Sequence, residues 1–179
     1  EARRLEKEKG YFFVGQHYNP ANPQSHRQTA KEILDDFDGD LGAVICTTGT
    51  GGTISGLSTV LRQEIPGIKI VATEPDNSPI LSKGIACKHR IMGTAPGFIP
   101  DTLDQGAYDD IIAVNADHAM AVARQLAQQE GIFCGISCGA AVVGMLEYAK
   151  REEARERQLL AILADTGERY LSTELWAST

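Results

Sequence analysis

Residues 41–53 read Leu-Gly-Ala-Val-Ile-Cys-Thr-Thr-Gly-Thr-Gly-Gly-Thr, an apolar run that leads directly into a glycine-rich segment. Residues 54–64 then have the composition of a helix, which Pro66 and Gly67 are expected to end. Residues 68–73 are rich in β-branched side chains and are typical of a strand. The order of strand, glycine-rich turn, helix and strand predicts a βαβ unit with parallel strands and a right-handed crossover.

The glycine-rich segment has the composition of a phosphate-binding turn, and it consists of Gly49, Thr50, Gly51, Gly52 and Thr53. Glycines let backbone N–H groups approach an anion at the start of a helix, and the threonine hydroxyls add further donors. The segment matches neither a Walker A loop nor the GxGxxG spacing of dinucleotide sites, so we expect the phosphate of another kind of ligand. A valine at position 51 or 52 is expected to block this site by placing a Cβ atom where the anion would lie. The simpler alternative is a turn without a ligand.

The rest of the chain continues the alternation of strands and helices. Predicted helices cover 1–10, 24–37, 116–129 and a stretch from the turn at 135–139 to about 151, predicted strands cover 11–14, 110–114 and 159–163, and a turn covers 19–23. Asn115 is expected to cap the helix that follows it, and Gly131 to end that helix. Residues 77–108 are rich in Gly and Pro and form a long irregular segment, which in a compact domain is usually functional. The pattern predicts an α/β fold with a mostly parallel sheet and flanking helices.

A second glycine-rich turn, Gly-Ile-Ser-Cys-Gly at 135–139, also opens a helix. Ligands of parallel sheets bind at the carboxyl ends of the strands, so the two turns are candidates for one shared ligand. In that arrangement one turn holds a phosphate and the other faces a flat ring. The alternative is that the small residues at 139–141 only allow close helix packing.

Composition and charge exclude several classes of function. The 179 residues fit one domain with a hydrophobic core. A net charge of −7 argues against a nucleic-acid or anionic-membrane partner. The sequence has no apolar run long enough for a membrane span, and its charged beginning does not have the pattern of a signal peptide, so we expect a cytoplasmic protein. The four cysteines lack the spacing of a metal site, which predicts no metal and identifies Cys46 as a core residue.

Five motifs together carry a resemblance to a known family. They lie at 19–23 (Asn-Pro-Ala-Asn-Pro), 49–53, 97–100 (Gly-Phe-Ile-Pro), 135–137 (Gly-Ile-Ser) and 167–173 (Gly-Glu-Arg-Tyr-Leu-Ser-Thr). In this order they resemble the cysteine synthases, which belong to the pyridoxal-phosphate β-family with O-acetylserine sulfhydrylase and cystathionine β-synthase. The resemblance covers nearly the whole chain. It implies the large-domain part of pyridoxal-phosphate fold type II, the tryptophan synthase β-like fold.

The resemblance implies pyridoxal 5′-phosphate as the cofactor and assigns roles to individual residues. Residues 49–53 match the loop that holds the cofactor phosphate, and Ser137 matches the residue whose hydroxyl faces the pyridine nitrogen. Gln16 matches a glutamine near the substrate carboxylate, and Gly93 lies in the mobile active-site segment of the family. The implied reaction is β-replacement, in which O-acetyl-L-serine and sulfide give L-cysteine and acetate. The implied partners are an amino-acid substrate, sulfide, a second subunit in a homodimer and, as in some relatives, a serine acetyltransferase.

The chain departs from the family pattern in ways that leave alternatives open. None of its seven lysines matches the Schiff-base lysine, which the family carries in an N-terminal half. We therefore expect a C-terminal portion without a catalytic residue and inactive alone, in which 1–12 are a helix and connection and 13–179 the cofactor-binding α/β domain. His17 stands where the sulfhydrylases usually have Phe, and Cys138 stands where Ser or Ala is usual, at a helix N-terminus that favours a reactive thiolate. The alternatives are cystathionine β-synthase or another nucleophile, and a non-catalytic phosphate- or partner-binding module.

Overall fold

A computed structural model of the protein describes residues 1–176. In this part of the chain, the strands are β1 (Ala43–Thr47), β2 (Lys69–Pro75), β3 (Asp110–Val114) and β4 (Leu159–Ala161). The α-helices are α1 (Ala2–Lys9), α2 (Ala21–Phe37), α3 (Gly52–Glu64), α4 (Ile80–Lys83), α5 (Ala116–Gln125) and α6 (Ile136–Tyr148). A π-helical turn at Leu126–Glu130 continues α5, and 3-10 turns lie at Glu152–Ala154 and Gly167–Tyr170.

The strands form one sheet in the order β3-β2-β1-β4, and all neighbouring pairs are parallel. The predicted βαβ unit is confirmed, since β1 and β2 are parallel neighbours and α3 connects them. Alternate residues of β1 enter different cores: Ile45 packs in the core that holds α5 and α6, and Val44 packs in the core that holds α2 and α3. Helices therefore cover both faces of the sheet, as the predicted α/β fold requires.

Two predictions near the N-terminus are wrong. Residues 11–14 form no strand, and Tyr11, Phe12 and Val14 are exposed, because this segment has no neighbouring strand to pair with. Helix α2 begins at Ala21 rather than at residue 24, so the proline-rich turn overlaps its first residues. A proline is tolerated there because the first N–H groups of a helix have no intrahelical partner.

Other boundaries differ less. Asn115 caps α5 as predicted, since its side chain accepts hydrogen bonds from two backbone N–H groups of the first turn, and Gly131 ends the following π-turn with a φ of +70°. Helix α6 ends at Tyr148, earlier than expected. Strand β4 is shorter than expected and only half-buried, because it lies at the edge of the sheet. The predicted irregular segment at 77–108 contains only the short helix α4.

The buried thiol of Cys46 is expected to make the free energy of unfolding fall at alkaline pH. Burial raises the pKa of this thiol from 9.0 to about 12. Because the folded pKa lies above the unfolded one, the stabilisation is complete below pH 9 and is lost as the pH rises toward 12. We expect this thiol alone to lower the free energy of unfolding by about 2–3 kcal/mol at pH 11.

Chemical denaturation of wild type and Cys46→Ala between pH 8 and pH 11 measures this loss. The variant should lose less stability than wild type as the pH rises. Cys87→Ala is the matched control, because the Cys87 thiol is exposed and its removal should leave the pH dependence unchanged. Equal pH dependence in wild type and Cys46→Ala would contradict the prediction.

Candidate functional site

A cavity of about 270 Å³ lies where the chain leaves the carboxyl end of β1. Its lining residues are Thr47, Gly49, Thr50, Gly51, Thr53, Met92, Gly93, Ser137, Ala164 and Asp165. Residues of both glycine-rich turns therefore line the same cavity, together with Met92 and Gly93 from the long irregular segment predicted at 77–108. Gln16 and Gly52 do not line it.

Helix α3 points its N-terminus at the cavity. Its N-cap is Gly51, which lies in the left-handed region with a φ of +78° and has no side chain to cap the helix. The Gly52 N–H lies 3.3 Å from Thr50 Oγ1, while the first-turn N–H groups have no intrahelical partner. These groups give the end of the helix a partial positive charge that favours an anion. The lining contains no lysine or arginine, so N–H groups and hydroxyls are the available donors.

The glycines of this loop are required by the surrounding protein. A Cβ atom added to Gly51 would lie 2.8 Å from Leu103 Cα, and one added to Gly52 would lie 2.5 Å from Asn22 Cγ. One added to Gly49 would overlap the carbonyl oxygen of Gly93. A valine at 51 or 52 would therefore also meet these neighbouring segments, and its expected effect on an anion in the cavity stays a prediction.

Asn22 connects the segment around Gln16 to the glycine-rich loop, and the sequence analysis missed this role. Its Nδ2 donates to Thr50 Oγ1 at 3.0 Å and to the Gln16 carbonyl oxygen at 2.8 Å. The Gln16 side chain is itself exposed, with Nε2 3.4 Å from His17 Nε2. The motif at 19–23 contained Asn22, but only the tertiary contact shows what its amide does.

The segment around Gly93 closes another side of the cavity. Ala95 N–H donates to the Thr48 carbonyl oxygen at 2.9 Å, which fixes this segment to the end of β1. Gly93 has a φ of +83°, a conformation that glycine adopts without strain. Ala95 has a φ of +39°, which is uncommon for a residue with a side chain.

Asp165 is a lining residue that the sequence analysis did not identify. It follows β4 at the carboxyl edge of the sheet, where ligands of parallel sheets bind, and that position was the available signal. Its carboxylate accepts hydrogen bonds from the Tyr170 hydroxyl and from Cys138 Sγ, the latter at 3.2 Å. Burial and the hydrogen bond to Asp165 raise the pKa of Tyr170. Both carboxylate oxygens are thus engaged by protein donors.

Cys138 is buried and is not one of the residues that line the cavity. A hydrogen bond from the Cys134 thiol lowers the pKa of Cys138 to about 7, in the direction expected at a helix N-terminus. Its exposed fraction is 0%, however, so the predicted reactive thiolate is closed off from solvent. The neighbouring Ser137 does line the cavity.

The small residues of the second turn are explained mainly by packing. A Cβ atom added to Gly139 would lie 3.0 Å from the Ala119 carbonyl carbon and would overlap its oxygen. One added to Gly135 would lie 2.9 Å from Asp165 Cγ. Close helix packing, the alternative left open for residues 139–141, therefore explains Gly139, while Gly135 is explained by its contact with Asp165. Of residues 135–139 only Ser137 lines the cavity.

Within residues 1–176, no three His, Cys, Asp or Glu side chains gather in a way that would hold a metal ion. Among the helices of the same part of the chain, none is both long and apolar enough to cross a bilayer.

Fold and cavity together define an α/β protein with a cavity at the carboxyl edge of a parallel sheet, lined by a helix N-terminus and hydroxyl groups. The chain belongs to the family described as pyridoxal-phosphate dependent enzymes, whose model matches residues 1–165. The resemblance found in the sequence is thereby confirmed, and pyridoxal phosphate is the cofactor of this family.

Individual relatives agree with this assignment. Cysteine synthase of Staphylococcus aureus strain N315 is 45% identical across 99% of this chain. A crystal structure of cysteine synthase from Entamoeba histolytica matches 99% of this chain and 53% of its own with a TM-score of 0.94 and 37% identity. A crystal structure of O-ureido-L-serine synthase matches 99% of this chain and 56% of its own with a TM-score of 0.93 and 43% identity. The fold is accordingly fold type II of the pyridoxal-phosphate enzymes. The chain spans 57% of the length of the curated relatives it matches.

Proposed function

We propose that the cavity binds pyridoxal 5′-phosphate and that the complete protein catalyses a β-replacement on an amino acid. The observation that carries this proposal is the single cavity lined by both the glycine-rich loop and Ser137, in a chain 45% identical to a cysteine synthase. The residues proposed to hold the phosphate are Gly49, Thr50, Gly51, Gly52 and Thr53. In this proposal residues 13–179 are the cofactor-binding unit and 1–12 a connection.

The chemistry of the lining fits a phosphate group. The first turn of α3 and two threonine hydroxyls offer hydrogen-bond donors at one place. Asn22 holds the Thr50 hydroxyl by donating to its oxygen, which leaves the Thr50 proton free to point at an anion. A phosphate would supply the acceptors that the first turn of α3 lacks within the helix.

Ser137 gives the other part of the site a neutral character. Its side chain is almost fully buried, and a hydroxyl facing a ring nitrogen can donate or accept one hydrogen bond without carrying charge. Asp165 is the one ionisable side chain among the lining residues, but its carboxylate already accepts hydrogen bonds from Tyr170 and Cys138. We therefore infer that the chain provides the ring with a neutral partner. When bound, pyridoxal phosphate supplies stabilisation of negative charge at the α-carbon of an amino acid.

The proposed reaction converts O-acetyl-L-serine and sulfide to L-cysteine and acetate. The identities with cysteine synthases support it, and the supply of the amine and the general base is expected from outside this chain. Gln16 is proposed to meet the substrate carboxylate, because its backbone is fixed to the phosphate loop through Asn22. Gly93 is proposed, from the resemblance, to belong to the segment that moves when substrate enters; it lines the cavity with a φ of +83°.

A β-replacement with another nucleophile is the second candidate, as in cystathionine β-synthase or in the related O-ureido-L-serine synthase. The observation that favours it is His17, whose ring packs against Phe98 at 5.1 Å and whose buried Nδ1 has no hydrogen-bond partner within residues 1–176. Buried polar atoms usually make a hydrogen bond, so we propose that a substrate group supplies the missing partner of His17 Nδ1.

The proposal extends to the setting of the complete protein. A homodimer would cover the exposed Tyr11, Phe12 and Val14, whose side chains form an apolar surface. A serine acetyltransferase is a further proposed partner, and this proposal rests only on analogy with some relatives. The cytoplasm is the proposed location.

The decisive test assays a longer protein, in which the part of the relatives that this chain does not span, expected from the resemblance to lie upstream, precedes this chain. This chain alone is the control. After addition of pyridoxal phosphate, only the longer protein should form cysteine from O-acetyl-L-serine and sulfide. Ser137→Ala should reduce that activity, and the exposed Ser172→Ala should not. Preference for an amine or a larger thiol would favour the second candidate. Binding of pyridoxal phosphate without turnover of any nucleophile would favour the non-catalytic module.

A further inference from the structure

A histidine on α2 contacts the glycine-rich loop at 49–53, the proposed phosphate cradle, without lining the cavity. His26 Nε2 lies 3.2 Å from Thr53 Oγ1, and Thr53 is one of the lining residues of the cavity. His26 is not itself among the lining residues. Any effect it has on a ligand would therefore pass through the threonine hydroxyl.

The close approach of α2 and α3 is built into the sequence. A Cβ atom added to Gly56 would lie 2.7 Å from His26 Cβ, and one added to Gly52 would lie 2.5 Å from Asn22 Cγ. Glycines at these two positions, four residues apart on α3, let α2 pack against the first turns of that helix. The distance between His26 and Thr53 thus follows from a packed helix pair and not from a flexible loop.

The single hydroxyl proton of Thr53 limits how Thr53 can hydrogen-bond to His26 and to an anion at the same time. A threonine hydroxyl has one proton, which points either at the histidine or elsewhere. If Nε2 carries the ring proton, it donates to the Thr53 oxygen, and the hydroxyl proton is free to point into the cavity. With the opposite tautomer the Thr53 proton is used by the ring, and the hydroxyl offers only lone pairs to an anion, which is unfavourable.

The charge state of the ring agrees with such a role. Burial lowers the pKa of His26, so the imidazole is neutral at pH 7 and carries its single proton on one nitrogen only. A neutral ring acts on the anion through the direction of the hydroxyl and not through its own charge.

We propose that His26 is a positioning residue of the phosphate cradle: its Nε2–H donates to Thr53 Oγ1 and directs the Thr53 hydroxyl proton into the cavity. The inference rests on the proposed function, because the anion is taken to be the phosphate of pyridoxal phosphate. It assigns a role to a residue outside both glycine-rich turns.

The test measures dissociation constants of this chain for pyridoxal phosphate and for pyridoxal, which lacks the phosphate. His26→Leu should weaken binding of pyridoxal phosphate roughly fivefold, the loss expected for one hydrogen bond, and leave pyridoxal binding unchanged. His26→Gln keeps an N–H near the position of Nε2 and should stay within about twofold of wild type. Thr53→Val should weaken binding to a similar degree, and adding His26→Leu to it should cause no further loss.

Two results would overturn the proposal: undiminished binding by His26→Leu, or an equal additional loss in the Thr53→Val background, which would mean a structural role independent of Thr53. A wild-type chain that binds pyridoxal phosphate no better than pyridoxal would overturn the phosphate cradle itself, so the two failures are distinguishable. ¹⁵N NMR of the wild-type imidazole gives a readout that needs no variant. It should show the proton on Nε2 when inorganic phosphate is added, and a proton on Nδ1 alone would contradict the proposal.

Discussion

Gly51→Ala should destabilise the protein by about 3 kcal/mol and strongly weaken its binding of pyridoxal phosphate, whereas Gly67→Ala should cost only about 1 kcal/mol. The two glycines have nearly the same conformation, with φ values of +78° and +82°. They differ in their surroundings, because the added Cβ at Gly51 would lie 2.8 Å from Leu103 Cα, while the one at Gly67 meets nothing within 4 Å. Alanine would therefore strain the backbone at both positions, but its methyl group would be crowded by a neighbouring residue only at position 51.

Thermal and chemical unfolding of the two variants separates these costs. In a protein of this size each kcal/mol shifts the melting temperature by roughly 2–4 °C, so the variants should differ by several degrees. The Gly51 variant should also lose affinity for pyridoxal phosphate, because relief of the crowding displaces the N-cap of α3 from the cavity. Equal stability of both variants would mean that Leu103 yields easily and that the loop is less tightly packed than the structure indicates.

This loop also shows how far the sequence predicts the site. The strand, the glycine-rich turn and the helix were recognised because composition and periodicity are local properties, and β1, α3 and β2 form where the pattern placed them. The reason for the glycines was not recognisable locally, since Leu103 and Asn22 approach the loop only in the folded chain. The sequence thus predicted the glycine-rich turn between β1 and α3 but not the contacts that hold it.

Asn22, His26 and Asp165 were missed for the same physical reason. Each acts through a hydrogen bond to a residue distant in the sequence: Asn22 to Thr50, His26 to Thr53, and Asp165 from Cys138. No spacing rule links such pairs in a single sequence. The strand predicted at 11–14 does not form, because a local pattern of apolar residues cannot show whether a neighbouring strand is present to pair with it.

Gly139→Ala should destabilise the protein by about 2–3 kcal/mol, although alanine is the better helix former by about 1 kcal/mol. The new methyl group would overlap the Ala119 carbonyl oxygen and lie 3.0 Å from Ala123 Cβ, so α5 and α6 would have to separate. Gly106→Ala is the control, because Gly106 is exposed and its added Cβ would meet only the exposed Asp104 side chain, with Oδ1 at 3.3 Å. Its net change should be within about 1 kcal/mol.

The effect of Gly139→Ala on ligand binding shows whether Gly139 is needed for helix packing or for direct contact with a ligand. Ser137 lies two residues before Gly139 on α6, so separation of α5 and α6 moves the Ser137 hydroxyl relative to the glycine-rich loop. Gly139→Ala should therefore weaken binding of pyridoxal phosphate and of pyridoxal to the same degree, because the ring end of the site is altered and the phosphate cradle is not. A variant as stable as wild type but unable to bind either compound would mean that Gly139 faces the ligand directly, and the packing explanation would then be wrong.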